Sequence, residues 1–436
     1  MTIGATGKLE VAVIGAGWAG CAAAVEATKL GHHVTVFESS RTPGGRARRV
    51  GLSRDGQNLA LDNGQHILIG AYSETLKLMA ELDIDIPASF LRLPLTMQFP
   101  DGSGLVLPQL PAPFDALLGI LQARGWSIAD KWSLLKAATL WQLHQFKCPA
   151  EQTVSSLCRS ISPRVNATLI EPLCVSALNT PADRASGQVF LRVLHDSMFA
   201  ASGGSNLLLP RVDLSALLPD PALSWLVKRG GQMQLGCRVS SIAPLANNAW
   251  QLTGANDAPL GQFDRIILAC PPQESARLTR ASALPCAAWL ALAEGLRFEA
   301  ITTVYADAPG AKLAQPMLAL ACNERCPAQF VFDRGQLGGP PGLLAFVISA
   351  SHGDAGTLAG QVAAQAAQQL NIEKLDVLQT VVEKRATFAC TPGLQRPGPM
   401  LAPGLLACGD YLDGPYPATL EGAVRSGLQV AKLLGK

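Results

Sequence analysis

The sequence predicts an α/β fold with α+β insertions, built on a discontinuous, Rossmann-like nucleotide-binding domain. Three observations predict it. The chain opens on an apolar strand, a glycine turn, a small-residue helix and a second strand that ends in an acid. It closes on a further strand, turn and helix of the same kind. The long blocks between them change periodicity, one mainly helical and one mixed with strands.

The opening is Val11-Ala12-Val13-Ile14-Gly15-Ala16-Gly17-Trp18-Ala19-Gly20, followed by a strand ending at Glu38. Gly15 allows the tight turn, Gly17 keeps side chains away from a pyrophosphate, and Gly20 lets helix and strand pack closely. The helix start offers free N–H groups and a partial positive charge to phosphates. Glu38 stands where a carboxylate accepts hydrogen bonds from ribose hydroxyls. Alone, this turn suits NAD as well as FAD.

The far end narrows the choice. A strand delivers Gly409-Asp410, and a helix is expected from about Thr419 to Leu434. Asp410 suits the ribityl hydroxyls of a flavin, and the amides around Leu420 suit the O2 edge of its ring. A dinucleotide of the NAD type needs no such second grip, so FAD is the expected cofactor. Between these ends, Gly44-Gly45 reads as a tight turn near the nucleotide, with Arg46 placed for a phosphate or a flavin-side oxygen.

At 436 residues, two domains are the default. The nucleotide domain is expected over residues 1–71, 205–275 and 395–436, and a mixed helical and sheet substrate domain over 72–204 and 276–394. Residues are 48% hydrophobic and only 16% charged, which suits a large interior or an apolar surface kept for a greasy ligand. A net charge of +2 gives no argument for nucleic acid. The 11 scattered cysteines, with no signal peptide before the first strand, predict free thiols and a cytoplasmic setting. Cys322 and Cys326 lack histidine partners, so no metal site is expected. No apolar run reaches the ~18 residues that span a bilayer. Peripheral contact with the inner membrane stays open.

Helices are expected over 72–82, 114–123, 128–146, 217–228 and 358–369, and a hairpin over 93–107 around Asp101-Gly102. The proline-rich segment 105–114 suits either a surface beside a membrane or an ordinary stiffened loop. Residues 205–209 read as a link back to the nucleotide domain. Strands are expected at 67–69, 233–235, 238–242, 264–268, 301–305, 329–332 and 343–349. Asp62-Asn63-Gly64-Gln65-His66 is a polar turn between apolar neighbours, fit to line a ring system or a substrate.

These residues resemble the flavin amine oxidase and phytoene desaturase superfamily along the whole chain. Trp18 in the glycine turn, the 62–67 segment, Leu208-Leu209-Pro210-Arg211 and Gly414-Pro415-Tyr416 resemble one branch more closely. That branch is the hydroxysqualene dehydroxylases of hopanoid biosynthesis; Cys270-Pro271-Pro272 departs from the superfamily's usual Ala-Thr-Pro turn. The resemblance implies FAD contacts at Gly15, Gly17, Gly20, Glu38, Arg46 and Asp410; Trp18, Gly45, Gly409 and Leu420, in the same turns and helix start, complete the expected cofactor set. It also implies a backbone contact from Val239 to the adenine. The implied substrate is a long-chain isoprenoid, hydroxysqualene, whose hydroxyl is replaced by hydride from N5 of the reduced flavin. An acid must assist the hydroxyl's departure. His66 is the leading candidate, then Tyr416, with Asp413 and Glu421 behind them. A desaturase or oxidase of a polyene or amine, and a non-catalytic prenyl carrier, are the alternatives. The flavin's electron donor is not legible.

Overall fold

Parallel strands buried on both faces require continuous apolar runs. Val11-Ala12-Val13-Ile14 and Ile266-Ile267-Leu268 are such runs, and all are buried. They form the centre of a six-stranded sheet in the computed structural model, which describes residues 7–435 except 55–56, 200–201, 247 and 283. The sheet contains β1 (Glu10–Ile14), β2 (His33–Glu38), β10 (Gln232–Leu235), β14 (Arg265–Leu268), β20 (Met400–Ala402) and β21 (Leu405–Ala407). Their order is β10-β2-β1-β14-β21-β20, parallel except at the β20–β21 edge. Strands from both ends of the chain therefore share one sheet.

Helix α1 (Trp18–Lys29) is alanine-rich and buried along most of its length because a second helix covers it. The final helix, which we call α7 (Leu420–Ala431), crosses it at Gly427, where a Cβ would lie 2.2 Å from the Ala19 carbonyl oxygen. Helix α2 (Ser73–Glu81) lacks a side-chain cap of its own. The fully buried Glu421 of α7 supplies the missing acceptor. Its carboxylate receives Glu74 N at 3.1 Å, Thr75 N at 3.0 Å and Thr75 Oγ1 at 2.6 Å. Arg425 Nε closes the cluster at 2.7 Å.

Two strands that the sequence does not announce, β3 (Arg49–Arg54) and β4 (Gln57–Asp62), form an antiparallel hairpin. Residues 205–209 are a correction. They are not a plain link, because β9 (Leu207–Pro210) pairs with both β5 (Leu68–Ile69) and β6 (Phe90–Leu93). The hairpin expected over 93–107 is β7 (Thr96–Gln98) with β8 (Gly104–Val106). Helices α3 (Phe114–Gln122), α4 (Ile128–Leu143) and α5 (Gly187–Met198) follow. The strand expected over 238–242 starts later, as β11 (Ser241–Pro244), in a small sheet with β12 (Trp250–Thr253) and β13 (Pro259–Phe263). Val239 thus lies in the extended link before it.

A five-stranded antiparallel sheet completes the fold, with β15 (Phe298–Asp307), β16 (Met317–Ala319), β17 (Phe330–Asp333), β18 (Leu343–Ser349) and β19 (Asp376–Phe388). Its order is β16-β17-β18-β15-β19. Alternation divides its faces. Val331, Leu344 and Phe346 pack with Leu358 and Val362 of α6 (Ala355–Leu370). Phe330, Phe332 and Val347 point the other way, into a cavity.

Candidate active site

The C-terminal ends of β1, β2, β14 and β21 converge on one edge of the parallel sheet, where ligands bind in open α/β sheets. There, Gly15, Glu38, Cys270 and Gly409 line the near end of a cavity of about 790 Å³. Its far end runs between α5 and the five-stranded sheet, walled by Val189, Val193, Met198, Phe330, Phe332 and Val347. The cavity has a polar end and an apolar end, and His66 and Tyr416 also line it.

The near end is built around backbone. Gly15 sits at φ +114°, and a Cβ there would strike the Ala269 carbonyl oxygen at 2.5 Å, so a side chain is excluded. Gly17 differs. A Cβ there meets only the Gly45 Cα, at 3.9 Å. Its missing side chain leaves space in the cavity, not in the protein's own packing. Such a cradle at a helix N-terminus fits a pyrophosphate. Gly44 N donates to Ala16 O at 2.8 Å, fixing the second turn against the first. Glu38 accepts from Ala16 N and Ser40 N, both at 2.8 Å, so it also holds the turn in shape. The Trp18 indole N–H donates to Ala47 O at 3.1 Å, tying α1 to the loop that carries Arg46.

Arg46 connects the two ends of the chain. Its guanidinium donates to Asp410 Oδ1 at 2.5 Å and to Ala386 O at 2.7 Å. Burial opposes its charge, and the Asp410 carboxylate more than offsets this, so its pKa lies above the ordinary value. Leu420 opens α7, capped by Thr419, whose Oγ1 accepts from Gly422 N at 2.9 Å. The Val239 carbonyl accepts from Arg277 Nη2 at 3.1 Å.

All the site residues expected from sequence line this cavity except Gly20. Gly20 lies behind the wall, where a Cβ would fall 2.0 Å from the Gly15 carbonyl oxygen. Its part is close packing, not ligand contact. Two reserve acids are also corrected. The Glu421 carboxylate is consumed in capping α2. The Asp413 side chain is 79% exposed, 3.6 Å from Arg396 and outside this cavity.

His66 Nδ1 lies 2.8 Å from the Gly64 carbonyl oxygen. Burial lowers its pKa, the Gly64 bond opposes this, and the Arg46 charge lowers it further. Tyr416 is shifted up by burial and then by the Asp196 carboxylate, so the phenol keeps its proton. Asp196 is a lining residue that sequence reasoning missed. Its Oδ1 lies 2.7 Å from His195 Nδ1, while its buried Oδ2 has no hydrogen-bond partner among the described residues. Nothing local signals it, because a charged residue late in an amphipathic helix reads as part of the solvated face.

The chain matches the family of flavin containing amine oxidoreductases over residues 18–434. The chain belongs to this family. Among curated relatives, it is 30% identical to the hydroxysqualene dehydroxylase of Rhodopseudomonas palustris, across 97% of this chain and 98% of that one. It is 27% identical to that of Sinorhizobium fredii at the same coverage, 97% and 98%. An oxidoreductase from Methanosarcina mazei has a similar fold, with a TM-score of 0.71 at 18% identity, covering 97% of this chain and 99% of that one. As a family member the chain is a flavin-dependent oxidoreductase, and the glycine cradle and the Arg46–Asp410 pair fit a flavin nucleotide. No helix among the described residues is long and apolar enough to cross a membrane.

Proposed function

We propose that this enzyme uses FAD to reduce hydroxysqualene to squalene. The observation that carries the reading is one continuous cavity, which joins a dinucleotide cradle to an apolar chamber. The near-full-length likeness to hydroxysqualene dehydroxylases supports the substrate class. FAD is preferred because the cradle at Gly17 and the Arg46–Asp410 pair offer grips at both ends of an extended dinucleotide. We assign residues 1–71, 205–275 and 395–436 to the cofactor domain, and 72–204 and 276–394 to the substrate domain. An isoprenoid of this kind resides in a bilayer, so peripheral membrane contact belongs to the proposal.

A hydroxyl leaves as water only when it takes up a proton. We assign that proton to Tyr416. Its phenol keeps its proton beside the Asp196 carboxylate, and both residues line the same wall. To His66 we assign a role other than proton donor. Its Nδ1 faces a carbonyl oxygen, which only accepts, so Nδ1 carries the hydrogen. Neutral Nε2 is then an acceptor, suited to orient the substrate hydroxyl. When bound, reduced flavin supplies the hydride that replaces the hydroxyl. Val189, Val193 and Phe332 keep water from capturing the electron-poor carbon.

The test is anaerobic incubation of the purified, flavin-loaded protein with hydroxysqualene and dithionite, with products read by mass spectrometry. Squalene is the expected product. Its absence overturns the reading. Desaturation of phytoene with an electron acceptor would favour the polyene reading, and a chain that stays colourless in FAD would favour a carrier.

A further inference from the structure

Large apolar side chains exposed to water are clustered on this protein. Of the 15 such residues in the described structure, nine lie between Val106 and Leu143, on α3, α4 and the segments beside them. On α3 they are Phe114, Leu117 and Leu121, at the i, i+3, i+7 spacing of one helix face. On α4 they include Ile128 at 77% exposure, Trp132 at 67% and Leu143 at 74%. These again share one stripe. The opposite side of α4 buries Leu134, Ala137 and Trp141, so the fold already has its core-facing stripe and the exposed one is additional. A patch of this kind marks an interaction site.

We propose that the α3–α4 face docks on an anionic phospholipid bilayer. Charge selects this occupant. Arg124, Lys136 and Lys147 are exposed around the patch. The only carboxylates between Val106 and Lys147 are Asp115, which is buried, and Asp130, which closes the capping box of α4 with Ser127. Lys136 lies within the apolar stripe, where its long stem lets the ammonium reach headgroups. Trp132 is the residue type enriched at the water–lipid boundary. No span is needed, since an apolar face with a basic fringe is held in the interface plane.

The face is also one layer from the cavity. Gly119 of α3 packs so tightly on the β7–β8 hairpin that a Cβ would lie 2.4 Å from Leu107 Cδ2. Met97 of that hairpin lines the apolar chamber. The docked surface and the hydrocarbon end therefore share a wall.

This docking is independent of which hydrocarbon is turned over, and vesicle binding tests it without turnover. Flavin-loaded protein is sedimented with phosphatidylcholine vesicles, with and without phosphatidylglycerol. Expected is tighter binding to the anionic vesicles, and at least tenfold weaker partition for the triple variant Phe114→Ser, Ile128→Ser, Trp132→Ser. The variant should retain its flavin spectrum and melting temperature, because none of the three residues is in the core or the cavity. Equal partition of variant and parent overturns the proposal. So does a parent that binds no vesicle, including one that forms a dimer which the triple variant dissolves.

Discussion

Replacing Glu421 by alanine tests how the cofactor helix is anchored. The carboxylate is fully buried and receives two backbone N–H groups, a hydroxyl and a guanidinium. In Glu421→Ala, the amides of Glu74 and Thr75 lose their acceptor out of reach of bulk water. Each such loss costs ~1–3 kcal/mol. The Thr75 hydroxyl can rotate, and Arg425 is 31% exposed and keeps Ser73 Oγ at 2.8 Å, so their losses are smaller. The whole change is worth about 3–5 kcal/mol, the usual scale for removing one partner of a buried ion pair. Glu421→Gln, which keeps one carbonyl acceptor, should cost about half of that. Urea denaturation of flavin-loaded protein measures both. Flavin retention on gel filtration should fall in step, because Leu420 at the wall is held by the same helix. A loss below about 1 kcal/mol in the alanine variant would refute the reasoning, since two buried amides cannot go unpaired that cheaply.

Tyr416→Phe should leave flavin bound and lower turnover of hydroxysqualene by about 10²–10⁴-fold, the range for loss of a general acid; single-turnover kinetics reads it. His66→Ala should also retain flavin and lose most dehydroxylation, and unchanged turnover would remove His66 from the site. Gly17→Leu should abolish the yellow spectrum while the apoprotein melts near the parent's temperature, whereas Gly15→Ala should destabilise the fold itself. Burial raises the Asp62 pKa from 3.8 to about 6. A pKa raised on folding favours the native state below the unfolded value, and this is lost as pH rises through the folded one. Relative to Asp62→Asn, the parent should therefore lose stability from pH 4 to pH 7, by up to roughly 3 kcal/mol at 1.36 kcal/mol per unit. A stability difference that does not change with pH would contradict this.

The glycine turn, α1 and β2 were legible because each is specified locally, by glycines at fixed spacing and a run of small or β-branched residues. The strand and helix around Gly409-Asp410 were legible for the same reason. Other elements depend on distant partners. β19 carries Glu383-Lys384-Arg385 and looks like a solvated segment, yet it is the edge strand along β15. β9 is four residues long and buried throughout, so it shows no alternation from which to read a strand. Glu421 looked like a spare acid because nothing near it in sequence reveals that α2 needs a cap. Asp196 was missed because the burial of its side chain depends on Tyr416 and the cavity, not on its own helix. His66 was found as a residue, but its hydrogen-bonding sense depends on a carbonyl two residues away.

The ion pair between Arg46 and Asp410 also has a meaning in time. A ribosome makes Arg46 well before Asp410, and β21 and α7, which complete the sheet and cover α1, emerge around it. Until then β14 has an open edge and α1 an uncovered apolar face, and the nucleotide grip has only one half. Flavin binding therefore requires that synthesis has passed Asp410: a nascent chain stopped before Gly409 should gain no protection from the cofactor against added protease.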